Sequence, residues 1–142
     1  MARAKKPKAL PAETLRVRHL LALDAARVLK RLEAKQDELV GLFSRHRSRE
    51  PMLTVLKSWF TSITFPELAL LEPHEQKAVA AFHDALEELR WYVHYTEDMP
   101  STVRTTLAVH ARKLGELHRA LTATIGAPED DGNPVVDGTA RR

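Results

Sequence analysis

The chain contains no cysteine, only five glycines and few aromatic residues. Without cysteine there is neither a disulfide framework nor a thiolate metal site. With so little glycine a collagen-like repeat is excluded, and no glycine-rich phosphate loop or G-x-S-x-G nucleophile elbow is spelled anywhere. No run of 18 uncharged apolar residues occurs, so no membrane-spanning helix is expected. Arg16, Arg18, His19 and Asp24 interrupt the apolar run that a signal peptide would need. A cytoplasmic address is the expectation.

What is present is enough apolar material for a core. Hydrophobic residues make up 44% of the 142 positions and charged residues 29%, the composition of one soluble globular domain. The net charge of +3 conceals an alternation: residues 1–49 hold 13 basic against 5 acidic side chains, and residues 50–98 hold 3 against 9. A uniformly basic chain would point to a polyanion partner. An alternating one can neutralise itself within the fold.

The apolar residues recur at helical spacing. Leu21, Ala25, Val28, Leu32, Leu39 and Leu42 form the seam of a long helix from Ala12 to about Arg47, with Leu15, Ala22, Ala26, Leu29 and Phe43 as a flanking row. Gly41 is its weak point. Met52, Val55, Leu56, Trp59 and Ile63 predict a short second helix, and Thr64 with Glu67 a capping box in front of an apolar plug at Leu68, Leu70 and Leu71. Pro73 opens a third long segment with Val79, Phe82, Leu86, Leu89 and Val93 on one face. Asp98 to Ser101 is a tight stop, and Val103, Leu107, His110, Leu114, Leu117 and Leu121 carry the last helix to Gly126. The expected fold is all-α: an antiparallel helical bundle with one long N-terminal helix, a short second helix and a long C-terminal helical hairpin. Residues 1–11 read as a disordered basic arm, 12–126 as a single bundle domain and 127–142 as a disordered tail. The first helix is longer than the hairpin. It must bend near Gly41, or lay its overhang on the second helix, or cover it with another subunit.

Four side-chain sets carry the functional candidates. Trp91 and Tyr95 lie away from the Leu86, Leu89 and Val93 seam, on a second apolar stripe shared with Ala80 and Ala81. Exposed aromatics of this kind anchor protein interfaces, whereas Trp59 and Phe60 of the second helix would cover them in a self-contained fold. Both pairs are therefore interface candidates. Lys5, Lys6 and Lys8 of the arm, with Arg45, Arg47 and Arg49, could follow a nucleic-acid backbone without sequence preference. On the first helix Arg16, Arg27, Lys30, Arg31, Arg45 and Arg49 fall within an arc of about 100°, but Glu13, Asp24 and Glu38 stand in or near it, and no aromatic residue interleaves to stack bases. His83, Glu87 and His118 come to similar heights in an antiparallel hairpin and are the metal candidates. Against them, no E-x-x-H or H-E-x-x-H is present, and His83, Glu87, Arg90 and His94 also read as one solvated face. His110 sits on the last helix's seam rather than facing water as a phosphotransfer histidine must. No cofactor motif is recognised. The expected function is a non-enzymatic interaction or scaffold protein that self-associates or docks to a protein partner through helix faces. Nucleic-acid backbone binding is the alternative.

Overall fold

The computed structural model describes residues 11–128, and among these the regular structure is helical with no strand. The order is α1 (Ala12–His46), α2 (Glu50–Val55), a 3-10 turn (Trp59–Ser62), α3 (Phe65–Leu68), α4 (Pro73–Tyr95) and α5 (Pro100–Ile125). The arm with Lys5, Lys6 and Lys8, and the tail beyond 128, lie outside the described residues. No described helix is long and apolar enough to cross a membrane.

Each helix begins and ends where local chemistry dictates. Proline occupies the first turn of α2, α3, α4 and α5, where its missing N–H is no loss. The capping box at Thr64 and Glu67 forms, and a second one joins Glu72 to Glu75 at the start of α4. α1 closes on Arg47 in the left-handed conformation, its N–H donating to the Phe43 carbonyl. α5 closes on Gly126, where a positive φ suits glycine.

The core forms where α1, α4 and α5 meet. Val28, Leu32, Phe43, Phe82, Leu86, Leu89, Leu107, Leu114 and Leu121 are almost completely removed from solvent. Along the contact of α4 with α5, Phe82 meets His118, Glu88 pairs with Lys113, and Tyr92 stacks on His110. α1 meets α5 through Asp37, which accepts from Arg104 at 2.8 Å.

Two expectations about the elements need correcting, and one alternative left open by the sequence is decided. Leu42 is only half-buried and Leu15 is exposed, while Val17, Val40 and Phe43 fill the buried face of α1. The seam drifts because 3.6 residues per turn does not divide the seven-residue repeat. α1 runs unbroken through Gly41. Its surplus length is covered by the chain itself: Leu39, Val40 and Phe43 are buried, with Met52, Val55 and Leu56 of the next segment joining the same core. The second helix stops at Val55 rather than reaching Ile63. Ser58 accepts the Phe60 N–H and Asp24 accepts the Trp59 N–H, so side chains take the amides that a continuing helix would have used.

Candidate functional site

Trp91 and Tyr95 stand one turn apart on α4 and are 68% and 58% exposed. Their rings contact each other with centroids 4.8 Å apart, and His94 meets Tyr95 edge-on. Beside them a groove of about 450 Å³ opens between α2 and α4, lined by Glu50, Leu53, Lys57, Glu87, Arg90 and His94 among others. α2 is fixed at this edge by arginines. Arg90 donates to the Leu53 carbonyl at 3.2 Å, and Arg49 donates to the Val93 carbonyl at 2.9 Å. Glu87 is held 3.6 Å from Arg90. The groove therefore has an aromatic wall and a rim of both charge signs.

Trp59 and Phe60 do not join this surface. Phe60 is half-buried and stacks flat on His83, with centroids 4.0 Å apart. Trp59 is half-exposed under the Arg27 guanidinium and lines a smaller hollow of about 180 Å³ with Leu20, Leu21 and Asp24. The four aromatics expected at an interface thus divide into two pairs, each pair on its own cavity. The shortened second helix is the reason: residues 59–62 turn back against α1 instead of continuing along α4.

The basic residues are used largely inside the fold. Arg47 donates to the Asp98 carbonyl at 2.9 Å and lies over the Phe43 ring. Arg49 binds the Val93 carbonyl near the C-terminal end of α4 and pairs with Glu97. Arg31 donates to the carbonyls of Val55 and Lys57, where α2 ends. Guanidinium groups at helix C-termini complete carbonyls that lack an intrahelical partner and meet the negative end of the dipole. Arg45 is exposed beside Gly41.

The histidines are not gathered around a common centre. Among the described residues no group of three histidines or carboxylates could hold a metal ion. Glu87 points outward, whereas His83 is 7% exposed. This corrects the reading of His83 as part of a solvated face: the 3-10 turn lays Phe60 over it. His118 is half-buried against Phe82. Burial lowers the proton affinity of His118, and likewise that of His110 beside Tyr92.

Asp24, read in the sequence as one acid of a mixed charged stripe, is instead the centre of a buried polar cluster. Asp24 is 5% exposed, accepting from Ser58 Oγ at 2.5 Å and from the Trp59 N–H at 2.8 Å. Its Oδ2 lies 3.9 Å from His83 Nε2, which has no hydrogen-bond partner. Burial pushes the His83 pKa down to about 4, against the opposing pull of Asp24 and then Asp84. Nearby, Arg18 and the buried Glu75 form an ion pair between α1 and α4. The signal for Asp24 was available: it stands three residues after Leu21 and four before Val28, on the apolar seam itself. No protein-family model, curated protein or solved structure matches this chain.

Proposed function

We propose that this protein is a non-enzymatic interaction module: an antiparallel helical bundle that self-associates or docks to a protein partner through the outer face of α4. The bundle reading is supported by the pairs Phe82–His118, Glu88–Lys113 and Tyr92–His110, in which residue numbers rise along α4 as they fall along α5. The interaction reading rests on one observation, the exposure of Trp91 and Tyr95 together on a face turned away from the core. Large aromatic side chains bury the most surface for little lost conformational freedom, which is why they dominate interfaces. The overhang of α1 gives no further support, since the chain covers it.

The experiment is the double substitution Trp91→Ala, Tyr95→Ala in the full chain. Association, read by sedimentation and by capture of protein partners, is lost while the melting temperature holds. A chain that is monomeric at every concentration and captures no protein would refute the reading. Polyanion binding has weaker support, because Arg47 and Arg49 are committed to carbonyls of the fold. Retardation of nucleic-acid probes at low salt, abolished by moderate salt, would revive it.

A further inference from the structure

The exposed face of α4 is a single continuous stripe. At 100° per residue, Lys77, Ala80, Asp84, Glu87, Trp91 and Tyr95 fall within an arc of about 80°, centred roughly opposite Phe82, Leu86, Leu89 and Val93. All six stripe residues are exposed and all four core-face residues are buried. The stripe is unequal along its length. Its C-terminal half carries the two large rings. Its N-terminal half carries the small residues Ala80 and, at the edge, Ala81. Ala80 also lines an apolar hollow beside Phe65, itself 86% exposed. Ala80 and Tyr95 are ~22 Å apart along the helix, with Glu87 near the midpoint.

Such a surface is complementary to itself when reversed. We infer that a second copy of this chain covers it, the two α4 helices pairing antiparallel about a two-fold axis near Glu87. This rests on the docking reading above and names its partner. Rotation about that axis sets each Tyr95 against the other copy's Ala80, whose small methyl side chain leaves room for the ring. It sets each Trp91 across from Asp84, whose carboxylate can accept from the indole N–H. Each Lys77 approaches the C-terminal end of the opposite α4, where the helix dipole is negative and Glu97 is exposed. Carboxylates oppose the arrangement: the two Glu87 side chains meet near the axis, each already 3.6 Å from its own Arg90, and exposed Glu88 stands beside them, paired with Lys113. A heterologous partner would require none of this reciprocity between the two halves of one stripe. An isologous interface requires all of it.

The test uses the full chain, whose lack of cysteine makes disulfide trapping specific. Sedimentation over a range of concentrations gives a monomer–dimer equilibrium. Ala80→Arg and the double substitution Trp91→Ala, Tyr95→Ala each weaken it by at least about tenfold, with unchanged helical circular dichroism. Glu87→Gln tightens it. Glu87→Cys, next to the axis, forms a disulfide-linked dimer on mild oxidation, and Glu116→Cys on α5 does not. A dimer indifferent to Ala80→Arg and without linkage at position 87 uses another face, which overturns this inference and leaves self-association standing. A chain monomeric at every concentration also overturns it. The broader docking reading then stands only if a protein partner is captured and lost in the Trp91, Tyr95 variant.

Discussion

His83 is the residue whose surroundings depart furthest from its ordinary chemistry. Enclosed by Phe60 and Phe82, with Asp24 from α1 and Asp84 on its own helix as the nearby acids, it is held neutral and its pKa lowered to about 4. The unfolded chain takes up the proton near the ordinary value of 6.5, well before the folded one does. Stability from this site is therefore complete above about pH 6.5 and lost as pH falls toward 4, by roughly 3 kcal/mol. Urea midpoints at pH 7 and 4.5 measure it, and His83→Gln removes most of the difference. An equal fall in that variant would assign the acid sensitivity to other groups. Asp24 is the companion case. Asp24→Ala strips a partner from Ser58 Oγ and the Trp59 N–H in a buried setting, and the expected loss is about 2–3 kcal/mol in chemical denaturation. A loss below about 0.5 kcal/mol, the range of ordinary surface substitutions, would mean that water replaces the carboxylate.

Among the elements, α2 depends on side chains from its neighbours. Six residues bury too little to hold a helix on their own, and nucleation is unfavourable. Arg31 and Arg90 tie its carbonyls to α1 and α4 from outside. Arg31→Met keeps most of the stem packing and removes the donors. It is predicted to destabilise by about 1–2 kcal/mol and to raise hydrogen exchange across residues 50–57 ahead of α4. Uniform exchange throughout would show that the arginine does not stabilise this segment in particular. The long helices answer to burial instead. Leu89→Ala on α4, fully enclosed, should lower stability by roughly 3 kcal/mol or more through lost contacts and a residual cavity.

At the level of the folded chain, a buried substitution set against an exposed one is diagnostic. Leu89→Ala should weaken the fold, whereas Trp91→Ala with Tyr95→Ala, two residues with most of their surface in water, should leave the melting temperature of the monomer nearly unchanged and abolish association. Calorimetry beside sedimentation separates the two effects. If the double variant melts like Leu89→Ala, the rings support the fold and the docking face is lost as an idea.

The order of the helices, their starts at proline, and most of the core were legible because apolar periodicity and end-capping are local properties of the chain. Val79, Phe82, Leu86, Leu89 and Val93 needed only their spacing, and all are buried. The second stripe on α4 was legible in the same way, since Trp91 falls off the core seam by simple rotation. The fate of the other aromatics was not. Whether Phe60 covers Trp91 or His83 depends on where residues 56–63 leave the helix, and that is decided by Asp24, 35 positions before Trp59 in sequence, taking an amide from it. The arginines likewise read as a charged stripe until α2 and α4 brought carbonyls to Arg31 and Arg49. Local pattern determines which residues avoid water, and long-range packing decides which polar groups they take with them.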